Sequence, residues 1–250
     1  MSHLQFDPTH VLVITTSGDA SAEAGATAAA VRAVFDHTDT VALRLDVDGL
    51  ASDHPEIANR VRAATEAEGG VLRAPVDQVR DPLTALLDLT DLHRFVTLER
   101  IDAFRHGEQV LHYVPDHTTV ELDDAAAEGV ADDVSRAVAD EPAGLLPAGT
   151  LADWYEDGTH YELDPPSLCV DESTCFSLAG LERVAFDDGD RSIRLTWARG
   201  DGVLGAASEL LGTDRPERLR FDSPNRSEDV AAAFETVADA LDVETTRKGS

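Results

Sequence analysis

Residues 14–31 read ITTSGDASAEAGATAAAV and follow the apolar run HVLVITT. Gly18, Ser21, Gly25 and Thr27 are small residues of the kind that cradle an anion with backbone N–H groups at a helix start. A phosphate loop needs G-x-x-x-x-G-K-[ST], whose lysine reaches the β- and γ-phosphates. Placing Gly25 and Thr27 on that pattern puts Ala20 at its first glycine and Ala26 at its lysine. Asp19 and Glu23 would also repel phosphate. The stretch predicts at most a ligand-binding loop without ATP hydrolysis.

A second group, His112, Asp116 and His117, gathers around the end of QVLHYVP (109–115). Two imidazoles and a carboxylate can share acid–base work or hold a metal ion. On a strand His112 and Tyr113 point to opposite faces, so His112 and His117 need not converge. The expectation is a polar site at a strand end, with no catalytic residue and no metal assigned. Asp46 and Asp48 close an earlier apolar segment, but no G-x-G-x-x-G precedes them, which predicts surface carboxylates. Trp154, Tyr155 and Trp197 read either as exposed anchors for a partner protein or as plugs between two domains. Cys169 and Cys175, spaced C-x5-C, are expected to pack as small apolar residues without a disulfide, as suits a reducing cytosol. No G-x-S-x-G, H-E-x-x-H or S-x-x-K pattern occurs, and no cofactor is predicted.

The elements that must position these residues change character along the chain. The first 140 residues alternate short apolar runs with helical periodicity. Strands are predicted at 10–16, 40–47, 71–76 and 109–115. Helices are predicted at 21–36, from Asp53 to Gly69-Gly70, from Asp81-Pro82 to about Phe104, and over about 123–140. Gly107 is read as the stop of the third helix. This alternation predicts an α/β domain at 1–145, a mostly parallel sheet with helices on both faces. Short alternating segments follow, at 159–163, 167–171, 174–178, 181–187, 191–197 and 218–222. Trp154-Tyr155 is placed on a linker helix or turn. Ser223-Pro224 then opens a helix whose Val230, Phe234, Val237 and Leu241 share one face. That pattern predicts a smaller antiparallel, β-rich domain capped by a helix at 150–243, with 244–250 as a tail.

Composition limits the function classes. The chain has 250 residues, 42% of them hydrophobic, and should fold. Its formal net charge is −29, and Lys248 is its only lysine. Acids spread along the whole chain predict a protein of a salt-rich cytoplasm, where screening cuts charge repulsion to a few ångströms. Singly scattered arginines argue against a nucleic-acid partner, which needs a basic stripe. Asp7, Pro8 and His10 interrupt the start, so no signal peptide is expected, and no apolar run approaches a membrane span. The expected location is cytoplasmic.

Two resemblances attach to particular residues. The stretch VDQVRDPLTALLDLTDLHRFVTLERIDAFRHGEQVLHYVPD (76–116) resembles part of haloarchaeal RecA/KaiC-like signalling domains, through Asp81, Leu83, Thr84, Leu86, Leu87, His112 and Tyr113. HVLVITTSG (10–18) is similar to the first strand and loop of that group, here without the phosphate-loop lysine. Residues 160–243, with the hairpin SLAGLERVAFDDGDRSIRLTW (177–197), resemble a pleckstrin-homology or GRAM-like module. Together these imply a non-enzymatic regulatory or protein-interaction module of a halophilic archaeon, in signal transduction. Its partner would be another protein, with a second copy of the chain among the candidates. The competing expectations are a nucleotide sensor without hydrolysis and a small-molecule enzyme using His112, Asp116 and His117.

Overall fold

The computed structural model describes residues 6–15, 20–89, 97–117, 119–171, 173–198 and 215–249. The chain divides into two compact units, Met1–Leu12 with Gly18–Leu145, and Val13–Ser17 with Leu146–Ser250.

The first unit runs β1 (His10–Ile14), α1 (Ala20–Phe35), β2 (Thr40–Leu45), α2 (Val47–Asp53), α3 (Pro55–Ala64), β3 (Glu66–Glu68) and β4 (Val71–Pro75). It continues with α4 (Val76–Leu87), β5 (Leu98–Arg105), β6 (Glu108–Val114), β7 (Thr119–Leu122), α5 (Val130–Ala137) and β8 (Ala143–Pro147). The strands form one eight-stranded sheet in the order β3-β4-β2-β5-β6-β7-β1-β8. β2 pairs antiparallel with both β4 and β5, and β5–β6, β6–β7 and β7–β1 are antiparallel too. The mostly parallel sheet expected from the sequence is therefore not the fold.

The reason lies in two dipeptides. Gly69 and Gly70 both have positive φ (59° and 82°), as do His106 and Gly107 (52° and 88°). Two consecutive left-handed residues make the turn that joins antiparallel neighbours in a hairpin. Gly69-Gly70 thus joins β3 to β4, and Gly107 turns β5 into β6 rather than stopping a helix. Leu98–Arg105, read as the end of a long helix, is a strand paired with β2 and β6, in which Ile101 and Ala103 face the core and alternate with Arg100 and Asp102 on the other face. The Asp81-Pro82 helix start is also displaced. Pro82 lies inside α4, which begins at Val76.

Within this unit α1 packs on α4 and α5 and reaches β6, while α4 reaches β4. The sheet face carrying Val41, Leu43, Ile101, Leu111, Tyr113 and Val120 is fully buried. Arg44, Arg100, Asp102, His112 and Glu121 alternate with these residues and share the other face.

The second unit holds β9 (Ala152–Glu156), β10 (Thr159–Asp164), β11 (Ser167–Val170) and β12 (Thr174–Ser177), then β13 (Leu181–Asp187), β14 (Ser192–Trp197), β15 (Arg218–Arg220), α6 (Pro224–Leu241) and β16 (Glu244–Lys248). They make two four-stranded sheets, β12-β11-β10-β9 and β15-β14-β13-β16. Trp154-Tyr155 lies on β9 rather than on a linker. The residues read as a tail form β16, parallel to β13. In α6 the apolar positions Val230, Phe234, Val237 and Leu241 are all buried. No helix of the described residues is long and apolar enough to cross a membrane.

Candidate functional site

Gly18 lies outside the described residues. Ser21 sits exposed in the first turn of α1, and Gly25 and Thr27 lie in the body of that helix. The amides of Gly25 and Thr27 are committed to intrahelical hydrogen bonds, so those two residues cannot cradle an anion. Thr27 is buried, and its hydroxyl donates to the Glu23 carbonyl at 2.6 Å. A Cβ on Gly25 would come within 3.3 Å of Glu141 Oε2. The small residues of 20–35 serve close packing. Ala24, Ala26, Ala28 and Ala30 are all buried, as in a helix covered on most sides.

His112 stands on β6 directly across from Asp102 on β5. Its Nδ1 donates to Asp102 Oδ1 at 2.8 Å, and Gln109 Nε2 donates to the same oxygen at 3.1 Å. Arg100 Nε lies 2.8 Å from Asp102 Oδ2, a close ion pair whose N–H is not aligned with the oxygen. The Asp102 side chain is only 8% exposed, so this carboxylate is a buried hub for two donors and one ion pair. The Phe6 ring lies 6.1 Å from His112. Asp116 is exposed in the short 3-10 turn Pro115–His117 that follows β6. The sequence reading missed Asp102, because its segment was read as helix and acids are common throughout the chain. The strand alternation ERIDAFR was the signal that could have placed it opposite His112. Asp46 caps α2 by accepting from the Gly49 amide, and Asp48 pairs with Arg62.

In the second unit the three aromatic residues separate. Trp154 is 1% exposed and stacks on Tyr161, ring centroids 5.3 Å apart, with Phe221 at 6.2 Å. It is core of the second unit and not an exposed anchor. Trp197 is half-buried, and its Nε1 donates to the Pro216 carbonyl at 2.8 Å. Tyr155 is 61% exposed, the one large hydrophobic side chain exposed among the described residues. Its ring stacks on His160, its cross-strand partner, at 4.6 Å and 19°. His160 Nε2 in turn lies 3.1 Å from Asp153 Oδ1.

Cys169 and Cys175 oppose each other on β11 and β12 and form a disulfide, contrary to the sequence expectation. Direct cross-strand pairing brings the two sulfurs together, a proximity that C-x5-C alone did not reveal.

Burial is the main cause of raised pKa values in this unit. Glu156 and Asp164 are both pushed above the ordinary carboxylate range by desolvation. Three other carboxylates are held below it. Asp39 accepts the His106 amide, Asp133 accepts Arg136, and Asp187 accepts the Asp190 amide. The two sets act on stability in opposite directions. The raised pair contributes stability that is complete below the unfolded value of about 4 and is lost as pH rises through the folded values. The depressed set contributes stability above about 4 that is lost on further acidification. At fixed multimolar KCl, urea midpoints are expected to rise from pH 7 to a maximum near about pH 4–5 and then fall. Replacing Glu156 by Gln and Asp164 by Asn together should flatten the rise; a midpoint that only declines from pH 7 contradicts it.

Among the described residues no group of three His, Cys, Asp or Glu side chains is placed to hold a metal ion. No family model, curated protein or solved structure matches this chain.

Proposed function

We propose that this chain is a non-enzymatic regulatory or protein-interaction module of a halophilic archaeon, acting in signal transduction through a partner protein. The observation that carries the reading is Tyr155. A tyrosine 61% exposed yet stacked on His160 has a ring face already in contact in the free protein. Its ordering cost is largely met before a partner arrives, which is the usual character of an interface hot spot. Asp153, Tyr155, His160 and Glu162 share the outer face of β9–β10 by register, so the anchor has a carboxylate rim. The antiparallel strands followed by α6 suit the likeness to pleckstrin-homology and GRAM-like modules. The net charge of −29 with one lysine supports the saline setting.

The test compares immobilised wild-type and Tyr155→Ser chains in multimolar KCl. A surface substitution here should change stability by less than about 0.5 kcal/mol. The expected result is a protein retained by the wild type and lost by the variant. Self-association seen by light scattering and abolished by Tyr155→Ser would make that partner a second copy. Equal behaviour of the two chains overturns the reading.

One observation favours a second reading, small-molecule catalysis at His112 with Asp116 and His117. The Asp102 carboxylate on Nδ1 is the contact that orients an imidazole as a general base.

A further inference from the structure

The inner face of the β9–β12 sheet carries Trp154, Tyr161, Val170 and Thr174 in successive register, with Leu168 and Phe176 beside them. Where that face meets the β11–β12 turn, a pocket of about 220 Å³ opens. Tyr161 and Phe176 give it aromatic walls, Asp171 a carboxylate, and Ser173 and Thr174 hydroxyls; among the described residues no arginine or lysine lines it. Pockets for drug-sized ligands run to roughly 300–1,000 Å³, so this one has room for little more than a single side chain or its equivalent.

The local field is negative. Burial raises the Tyr161 phenol above its ordinary value, and the carboxylates of Glu156, Asp171 and Asp157 raise it further. Glu156 shares the inner face with Trp154. One of its oxygens accepts the Arg220 amide, and the other is buried with no hydrogen-bond partner among the described residues. Asp171 is set by the turn. Its Oδ1 accepts the His160 amide at 2.9 Å, and its own amide donates to the His160 carbonyl at 2.8 Å. An aromatic cavity with one anchored carboxylate and no internal cation is built for a positive guest.

We propose that this pocket receives one organic cation, the ammonium or guanidinium end of a lysine or arginine side chain on the partner protein, with Tyr161 and Phe176 as its aromatic walls and Asp171 as counter-charge. The proposal rests on the interaction reading above and names the chemistry of the partner. Asp171 is exposed, so multimolar salt screens part of its charge and the aromatic walls carry the rest of the contact.

The full-length chain, in multimolar KCl, is titrated by calorimetry and NMR with N-acetyl-arginine amide, N-acetyl-lysine amide, N-acetyl-citrulline amide and methylguanidinium. Saturable binding of an amidated cation is expected, with neutral citrulline at least about tenfold weaker. Asp171→Asn should weaken the cation by about tenfold or more. Asparagine suits this site, because Asp171 has φ 51° and the side-chain oxygen can still accept the His160 amide. Arg183→Gln, which removes only the exposed pair with Glu244 on the other sheet, should leave probe binding unchanged. Citrulline binding as tightly as arginine, or no binding by any probe, overturns the pocket proposal. In that case the partner reading still stands if Tyr155→Ser abolishes capture. Methylguanidinium binding more tightly than N-acetyl-arginine amide overturns the side-chain source in favour of a free guanidinium compound.

Discussion

Trp154→Ala is expected to destabilise the second unit by about 3–5 kcal/mol, among the largest losses a single substitution can cause here. The indole is 1% exposed, is stacked nearly parallel on Tyr161 and is tilted against Phe221. Alanine removes the apolar surface of the largest side chain in that core and leaves a cavity that β-sheet neighbours cannot collapse into without losing register. At fixed KCl the urea midpoint should fall by about 2 M, given slopes of roughly 1–3 kcal/mol per M. Trp154→Phe separates packing from polarity. It keeps a ring on Tyr161 and removes an indole N–H that has no partner among the described residues. Its cost should stay below about 2 kcal/mol. A partner-capture assay then distinguishes the two neighbours on β9. Trp154→Phe should retain the partner that Tyr155→Ser loses, because alternation turns one ring into the core and the other outward. A Trp154→Ala chain as stable as wild type would show that the stack carries no energy.

The same alternation explains what could be read in advance. α1, β1, β2, the β13–β14 hairpin and α6 fall close to where periodicity placed them, since each has an unbroken apolar pattern of one period. The direction of the strands did not follow. Whether β2 runs parallel or antiparallel to its neighbours is decided by His106-Gly107, Gly69-Gly70 and the segments between, and an isolated glycine after helical-looking residues reads equally well as a helix stop. That single misreading turned β5 into helix and hid Asp102. The Ala-rich α1 misled in another way. Gly25 and Thr27 resemble a ligand loop in composition, while their small volumes serve helix packing. The pocket of the second unit had no linear signature at all. Tyr161, Asp171 and Phe176 lie on or beside three different strands, and only pairing brings them to one rim.

Asp102→Ala should cost about 2–4 kcal/mol, because two donors lose a buried acceptor at about 1–3 kcal/mol each. Those donors are His112 Nδ1 and Gln109 Nε2. Arg100 Nε lies 2.8 Å from Asp102 Oδ2 and has no hydrogen-bond partner among the described residues, but the Arg100 side chain is 36% exposed and its charge can turn to water. Asp102→Asn keeps one carbonyl oxygen and should cost less, about 1–3 kcal/mol. The pair itself need not be strongly stabilising, because desolvating two charges offsets most of their attraction. Replacing both, Asp102→Leu with Arg100→Met, should therefore recover most of the loss, a non-additivity of about 2 kcal/mol or more in a double-mutant cycle. Salt discriminates further. Exposed pairs such as Arg183–Glu244 weaken as KCl rises, whereas a carboxylate only 8% exposed is poorly screened, so the Asp102 coupling should persist in multimolar KCl. Strict additivity of the two single losses would mean that Asp102 and Arg100 do not interact. Asp102 would then be a hub for His112 and Gln109 alone, which is the arrangement the catalytic reading of His112 requires.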